Sequence, residues 1–144
     1  MENRENVIVV ALKAIIMFGG KALIIQRSGD DAIGADTWEF AGGKLDFGED
    51  LEVALNREIQ EEVGLDVSIE KLLYATTFKT HEYRQIVILC YLCTAIDDNV
   101  SLSAEHQDFL WADKKQVIGL LPNALVDDLD KNDVWSILQW QAIA

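Results

Sequence analysis

Seven residues of fixed type and spacing, all between Gly43 and Gly64, are the part of this sequence best suited to chemistry. Four of them are glutamates, and three of those fall within five consecutive positions. Clustered carboxylate oxygens are the ligands that hard divalent cations prefer, so Mg²⁺ is the expected ion and Mn²⁺ its substitute. The seven residues are Gly43, Glu49, Arg57, Glu58, Glu61, Glu62 and Gly64.

A helix is expected to position the three clustered glutamates. Asp50 suits its N-cap, and Gly64 suits the position just past its C-terminus. A helical apolar pattern runs between them, formed by Leu51, Leu55, Ile59 and Val63. At about 100° per residue, the three glutamates cluster on an arc that overlaps this apolar face. The carboxylates therefore project together from the edge of a buried surface.

A solvated acidic face is the ordinary explanation of such a helix, but it fits poorly here. Glu58 and Glu62 form a like-charged i,i+4 pair, which costs about 0.2–0.5 kcal/mol. Glu62 also falls within the apolar arc, where the loss of hydration raises that cost. A bound divalent cation would remove both penalties, so a metal site is the preferred interpretation.

The spacing resembles the Nudix box, G-x5-E-x7-R-E-U-x-E-E-x-G-U, in which U is apolar. Every fixed position is filled from Gly43 to Leu65. The resemblance covers essentially the whole chain. It implies a Nudix hydrolase, a metal-dependent enzyme that cuts a diphosphate linked to a nucleoside or a similar group. It also implies that Glu58, Glu61 and Glu62 bind the metal, with Glu61 and Glu62 as candidate catalytic residues.

The resemblance gives other roles to the rest of the box. The carbonyl of Gly42 would be a further metal ligand. Gly42 and Gly43 would let the backbone pass close to the metal and the phosphates, although an ordinary turn explains two adjacent glycines equally well. Arg57 and Glu49 look like the family's internal ion pair, which locks the loop against the helix rather than touching substrate.

Two positions outside the box resemble charged site residues of the family. Arg27 ends an apolar run, where similar enzymes use an arginine to bind a substrate phosphate. The alternative is a solvated arginine at a strand end. Glu105 lies in a loop before a strand that contains tryptophan, and it matches an extra metal ligand or general base; the alternative is a plain loop carboxylate. The adjacent His106 could assist in the same role, but as a lone loop histidine it is expected to be solvated.

Two further positions bear on the substrate. Asn123 matches an asparagine that lies over the purine in relatives that cleave nucleoside triphosphates, because an amide offers both a donor and an acceptor to a base edge. It would also serve as a helix N-cap. Tyr83 lies 18 residues beyond Leu65, a spacing that the family links with diadenosine polyphosphate hydrolases, although a tyrosine at a strand edge usually serves packing.

The sequence departs from the family pattern at two places. Ala41 stands where the family usually has proline, which puts the rigidity of the loop in doubt rather than catalysis. The family associates ADP-ribose hydrolases with a proline some fifteen residues past the box. No proline occurs between the box and Pro122, and this argues against ADP-ribose as the substrate.

The resemblance therefore favours cleavage of a nucleoside triphosphate, such as dGTP or 8-oxo-dGTP, to monophosphate and pyrophosphate. Hydrolysis of diadenosine polyphosphates or nucleotide sugars stays open, as does a non-catalytic module that senses a nucleotide. A purely structural acidic domain is a further alternative, and it would show no dependence on metal.

Length, charge and composition limit the remaining functions. A chain of 144 residues with 50% hydrophobic content is expected to form a single domain, 1–144. A net charge of −13 argues against polymeric nucleic acid as a partner and leaves a small nucleotide. The N-terminus lacks the basic start of a signal peptide, and the apolar run Val7–Phe18 is too short to span a membrane. A cytoplasmic protein is expected.

Cys90 and Cys93 form a C-x-x-C, which could indicate a redox or zinc site. They lie in a strand-like run, where an odd separation places them on opposite faces. Two reduced cysteines that pack as small apolar side chains are therefore expected.

The order of elements predicts an α+β fold of mixed α/β/α layering, and the resemblance implies the Nudix fold, a mixed sheet between helices. Strands are predicted at Val7–Phe18, Lys21–Arg27, 67–79, Arg84–Ala95 and 109–112, and further helices at 114–118, 124–129 and 132–142. In the last helix, Trp135, Leu138 and Trp140 present more apolar surface than one short helix needs, which favours a homodimer.

Overall fold

The structure is a computed structural model that describes residues 5–140. It contains a mixed sheet of seven strands and three α-helices within this part of the chain. The strands are β1 (Val7–Phe18), β2 (Lys21–Arg27), β3 (Trp38–Glu39), β4 (Ala41–Lys44), β5 (Val67–His81), β6 (Arg84–Ala95) and β7 (His106–Ala112). The helices are α1 (Leu51–Val63), α2 (Lys114–Leu120) and α3 (Asn123–Lys131).

Strand β1 is the centre of the sheet. It pairs in parallel with β6 over almost its whole length, from Val7 opposite Arg84 to Met17 opposite Thr94. It also pairs in antiparallel fashion with β2 and with β4, which carries Gly42 and Gly43. The sheet order is β3-β2-β1-β6-β5, and β7 pairs with β2. The middle of β1 therefore lies next to the start of the box.

Two hydrophobic clusters cover the two faces of the sheet, which confirms the layered α+β architecture. Leu55 and Ile59 of α1 belong to the first cluster. Val117 near the middle of α2 and Leu129 near the end of α3 belong to the second. Strand β1 contributes to both clusters, as a strand covered on both faces must.

The cysteine prediction is also confirmed. Both thiols are free and buried, and Cys93 lies in the first cluster whereas Cys90 lies in the second. Burial raises the pKa of each thiol to about 12, so neither is a ready nucleophile.

Helix α1 follows the local signals of the sequence, with two differences. Gly64 adopts the left-handed conformation at φ 65° and ends the helix. Asp50 occupies the N-cap position, but its side chain makes no capping hydrogen bond. Leu51 is 40% exposed, so it does not belong to the apolar face, and Ala54 is buried there instead.

The predicted helix at 132–142 is wrong for residues 132–140, and its last two positions lie outside the described residues. Helix α3 ends at Lys131, and Asp133 takes a left-handed φ of 52°, which a continuing helix cannot accommodate. The Val134 amide then donates to the Leu129 carbonyl. Val134 and Leu138 are buried by a turn, and their spacing of four is the same as on a helix face.

The other boundaries move only outward. The strand predicted at 67–79 extends to His81, and the one predicted at 109–112 begins at His106. Among the described residues, no helix reaches the length and hydropathy that crossing a bilayer requires.

Candidate active site

A cleft of about 460 Å³ lies where β4 meets α1 and the start of β7. It brings together residues that are far apart in sequence, since the box glutamates share it with an arginine from β2 and a glutamate before β7. Of the predicted site residues, the cleft is lined by Arg27, Gly42, Gly43, Glu58, Glu62 and Glu105. Glu61 is on the same helix, with 58% of its side chain exposed.

Arg57 joins the loop of the box to the helix. Its Nε and Nη2 donate to the two carboxylate oxygens of Glu49, both at 2.8 Å. Its Nη1 donates to Glu58 at 3.0 Å and approaches Glu61 at 3.4 Å. The hydrogen bonds from Arg57 lower the pKa of Glu49 to about 2, and the pKa of Arg57 is raised above its usual value, chiefly by the bond to Glu49. The guanidinium thus balances several carboxylates at once.

We expect Arg57→Ala to lower the melting temperature by several degrees and to reduce turnover as well. The change removes the two-pronged bond to Glu49 and leaves Glu58 and Glu61 without their shared cation. Differential scanning calorimetry and a rate assay on the same samples measure both effects. Arg84→Ala, which removes an arginine from β6 outside the cleft, is the control. A loss of rate with an unchanged melting temperature would assign Arg57 to substrate binding instead.

Glu62 is a buried carboxylate at the floor of the cleft. It is 8% exposed, and its Oε1 accepts a 2.7 Å hydrogen bond from the backbone amide of Gly42. Burial raises the pKa of Glu62, although the Gly42 amide and the charge of Lys13 oppose this shift. The negative charge at this position therefore carries a desolvation penalty.

The adjacent glycines Gly42 and Gly43 are needed for different reasons. A Cβ added to Gly42 would lie 2.0 Å from the backbone oxygen of Leu12 in β1, and Gly42 has a φ of 148°. Close strand packing therefore requires this glycine. A Cβ added to Gly43 would lie 2.3 Å from the carboxyl group of Glu58, so the second glycine leaves room for a site carboxylate.

Sequence reasoning missed Glu39, which lies at the centre of the charged network. Its carboxylate accepts hydrogen bonds from Lys13 at 3.4 Å and from Arg27 at 3.2 Å, and it faces Nε2 of His106 at 3.5 Å. Burial alone would raise the pKa of Glu39, but the His106 hydrogen bond and the two cations outweigh it and lower the pKa to about 2. Lys13 is the sequence feature that could have indicated Glu39. It is a lone charge within an apolar strand, and such a charge needs an acidic partner when it is buried.

Arg27 reaches the cleft already paired with carboxylates. Its Nη2 and Nε donate to Asp31 at 2.7 and 3.0 Å, and its Nη1 donates to Glu39. The side chain remains 37% exposed. It is therefore an oriented guanidinium that solvent can still reach, rather than a free strand-end charge.

Glu105 and His106 approach Glu62 from the other side of the cleft. Glu105 is exposed, and its backbone carbonyl accepts a hydrogen bond from the Ser28 amide at 2.9 Å. The expectation that His106 is solvated is wrong, because it is 6% exposed. A bulge in the pairing of β2 with β7, where Arg27 lies opposite His106, accompanies this inward placement. One ligand atom from each of Glu62, Glu105 and His106 lies within 4.8 Å of the others.

Asn123 and Tyr83, the two residues expected to bear on substrate choice, are not among the residues that line the cleft. Asn123 is the exposed first residue of α3, and Pro122 rather than Asn123 occupies the N-cap. Leu125 and Asp128, further along α3, line an apolar pocket of about 80 Å³ that shares residues with the cleft. Tyr83 lies in the turn between β5 and β6, where it lines a separate surface pocket.

The donor set fits a hard divalent cation. Gly43 leaves space for the carboxylate of Glu58, and the Gly42 amide holds the carboxylate of Glu62. Within residues 5–140, no lysine or arginine forms an ion pair with the buried Glu62, since Lys13 bonds to Glu39 and to the Phe40 carbonyl. A divalent ion would supply the missing positive charge.

Comparison with known proteins agrees with this geometry. The sequence profile of the NUDIX domain matches residues 7–132. Nucleoside triphosphatase NudI of Escherichia fergusonii is 28% identical over 120 residues, which cover 75% of this chain and 82% of that protein. A MutT protein from Methanosarcina mazei Go1 has a TM-score of 0.80 at 24% identity, covering 92% of this chain and 97% of the other.

An Ap4A hydrolase from C. elegans has a TM-score of 0.71 at 24% identity, covering 90% of this chain and 97% of the other. At these identities the two solved structures establish a shared fold. The profile, by contrast, spans most of the chain together with a complete box. The protein therefore belongs to the Nudix family and is a MutT-like Nudix pyrophosphohydrolase that acts on nucleoside-diphosphate-linked compounds.

Proposed function

We propose that the protein hydrolyses nucleoside triphosphates, with dGTP or 8-oxo-dGTP as the expected substrate, to a monophosphate and pyrophosphate. The observation that carries this proposal is the apolar pocket beside the carboxylate cleft, since the two share Lys13 and Glu39 in their walls. A nucleotide has the matching form, an aromatic base joined to a charged phosphate chain. Phe40 and Tyr74 in the pocket wall suit the base.

The cofactor we propose is Mg²⁺, with Mn²⁺ as its substitute. The residues that would hold it are Glu58, Glu61, Glu62 and Glu105, together with the carbonyl of Gly42. When bound, a divalent ion lowers the pKa of a water molecule and neutralises charge on phosphate oxygens. This contribution matters in a chain of net charge −13, which would otherwise repel a triphosphate.

The chain's own residues would orient the substrate and take a proton from the attacking water. Arg27 faces the cleft with its guanidinium fixed by Asp31 and Glu39, so it can hold a phosphate that does not react. The oxygen of the attacking water forms a bond to phosphorus, and the anhydride bond to the departing pyrophosphate breaks. The water proton passes to a carboxylate within reach, for which Glu105, Glu61 and Glu62 are the candidates.

Two relatives bear on the substrate in different directions. The Escherichia fergusonii relative is named a nucleoside triphosphatase, which supports the proposal. The C. elegans protein is an Ap4A hydrolase, and it keeps diadenosine polyphosphates as the alternative.

The test is a phosphate-release screen with Mg²⁺ over dGTP, 8-oxo-dGTP, the other nucleoside triphosphates, diadenosine tetraphosphate, ADP-ribose and a nucleotide sugar. We expect the highest kcat/KM with a purine triphosphate and release of pyrophosphate. EDTA and the Glu62→Gln variant serve as controls for contaminating phosphatases. A tenfold higher kcat/KM for diadenosine tetraphosphate or a nucleotide sugar would overturn the proposal and direct attention to Tyr83. No turnover of any compound would favour the sensing alternative.

Asn123 is proposed to contribute to purine discrimination because it begins the helix that lines the pocket. One or two hydrogen bonds to the base contribute about 1 kcal/mol each, so the preference among purines should be tens-fold at most. We expect Asn123→Ala to reduce that preference by about five- to tenfold while metal affinity stays the same. Asn132→Ala, at the other end of α3, is the matched control. An unchanged ratio of kcat/KM values for dGTP and dATP would remove Asn123 from substrate binding.

A homodimer remains a prediction, but its support has changed. The rings of Trp135 and Trp140 pack against each other, with their centroids 6.2 Å apart, and both contact the second hydrophobic cluster. Much of their apolar surface is therefore covered within the chain. Ile8 and the fully exposed Phe47 instead line one shallow groove. Light scattering at micromolar concentration is expected to give twice the mass of a single chain, and a monomer mass would contradict the prediction.

A cytoplasmic location is also proposed. It fits the two free, buried cysteines, since oxidising compartments favour disulfides.

A further inference from the structure

Nδ1 of His106 is the one buried side-chain nitrogen or oxygen in residues 5–140 that has no hydrogen-bond partner. The His106 side chain is only 2% exposed, so bulk water does not satisfy this atom. Buried polar atoms without partners are rare because their desolvation is not compensated. Nδ1 of His106 therefore needs a partner that residues 5–140 do not supply.

The other imidazole nitrogen indicates what kind of partner this is. Nε2 faces the carboxylate of Glu39 at 3.5 Å, and Glu39 is in turn held by Lys13 and Arg27. A carboxylate on one ring nitrogen fixes the tautomer in which the opposite nitrogen presents a lone pair, which is the usual arrangement around a histidine that binds a metal.

Nδ1 of His106 lies close to two of the site carboxylates. Nδ1 lies 3.9 Å from Oε2 of Glu62, which is too long for a direct hydrogen bond. Two ligands that each lie about 2.1 Å from one ion are separated by roughly 3.0 to 4.2 Å, depending on the angle between them. The observed gap falls within this range. Glu105, an exposed side chain, has a carboxylate oxygen within 4.8 Å of both atoms, so a small movement of this side chain would bring it to the same ion.

We propose that Nδ1 of His106 is a metal ligand and that, with Glu62 and Glu105, it forms a mixed nitrogen and oxygen position in the cleft. This inference rests on the metal site of the proposed function and adds a nitrogen donor to its oxygen ligands. Imidazole favours Mn²⁺, Co²⁺ and Zn²⁺ over Mg²⁺. The position should therefore bind Mn²⁺ more tightly than Mg²⁺, and this preference should depend on His106.

The chain has two histidines, which makes the test direct. The full-length protein is prepared with ¹⁵N-histidine and with natural histidine, and each is loaded with one and then two equivalents of Mn²⁺. Pulsed electron paramagnetic resonance detects a nitrogen bound to Mn²⁺ through its hyperfine coupling. We expect this coupling in the wild type, with the isotope shift of a histidine nitrogen. His81→Ala should retain it, since His81 is exposed at the end of β5.

The His106→Gln variant provides the second measurement. We expect it to lose the nitrogen coupling and to bind Mn²⁺ at least about tenfold more weakly by calorimetry, with a smaller change for Mg²⁺. The isotope comparison in the wild type decides the question even when this variant folds poorly. Absence of nitrogen coupling at both loadings, or its survival in His106→Gln, would overturn the proposal.

The outcomes for the ligand and for the substrate are separable. Turnover of dGTP with no nitrogen coupling would reject the His106 ligand and leave the proposed function intact. Nitrogen coupling without turnover of any triphosphate would reject the proposed substrate and leave the ligand in place.

Discussion

Glu62→Gln should remove nearly all turnover while leaving the metal-free protein at least as stable as the wild type. The expected loss in kcat is about 10²- to 10⁴-fold, since the change removes a carboxylate that can bind metal and accept a proton. Stability should not fall, because Glu62 is buried with a raised pKa and a neutral amide avoids the desolvation penalty. The amide can still accept the hydrogen bond from Gly42.

The pH dependence of this stability follows from the direction of the shift. The folded-state pKa of Glu62 lies above its ordinary value of 4.5, so the unfolded chain releases this proton first as the pH rises. The metal-free wild type therefore loses stability between that value and the folded-state pKa, and the glutamine variant does not share this loss. Thermal melts in EDTA across this range should show a difference that grows with pH.

Glu61→Gln is the matched control for this prediction. It lies on the same helix but is 58% exposed, so it should reduce turnover without raising the melting temperature. Two outcomes would contradict the prediction for Glu62→Gln. Near-normal turnover would exclude Glu62 from the metal site, and a lower melting temperature in EDTA would show that its charge is well compensated within the fold.

Gly42→Ala, at the residue just before the box, should be strongly destabilising. Its Cβ would lie 2.0 Å from the Leu12 carbonyl oxygen, and its φ of 148° suits no other residue. The pairing of β4 with β1 would have to open, at a cost of about 3 kcal/mol or more. Urea denaturation measures this loss, and poor yield of folded protein is the same result in stronger form.

Gly43→Ala offers a contrast at the next residue. Its Cβ meets the carboxyl end of Glu58, which can move aside, so turnover should fall more than stability. Gly119→Ala in α2 is the control. No neighbouring atom of residues 5–140 lies within 4 Å of the added Cβ, so this change should be neutral or stabilise by up to about 1 kcal/mol. Equal stability of the Gly42 and Gly119 variants would refute the packing argument.

The box helix could be predicted because its signals are local. The left-handed glycine at its end and the spacing of its apolar residues lie within fourteen positions, from Leu51 to Gly64, so no distant contact is needed to interpret them. The same holds for β1 and β6, where the length of each apolar run identifies the strand. In β6, the odd separation of Cys90 and Cys93 also identifies the two faces of the strand.

The network around Glu39 could not be predicted from spacing. Lys13 and His106 lie 26 and 67 residues from Glu39. The pairing of β1 with β4 brings Lys13 to it, and the pairing of β2 with both β3 and β7 brings His106. The inward placement of His106 accompanies a bulge between Gln26 and Arg27, where the register of β2 against β7 shifts. The turn after α3 was missed for a related reason, since apolar residues four apart satisfy a helix and a compact turn alike, and the left-handed Asp133 decides between them.

The division of the core by the sheet has a consequence for how such an enzyme can diversify. The three clustered glutamates Glu58, Glu61 and Glu62 come from α1, which packs on one face, whereas the apolar pocket is lined by Leu125 and Asp128 of α3 on the other. Substitutions in α3 can therefore alter which molecule is selected without disturbing the groups that break the bond. New substrate specificities can therefore arise from substitutions in α3, while the residues of α1 that take part in hydrolysis stay the same.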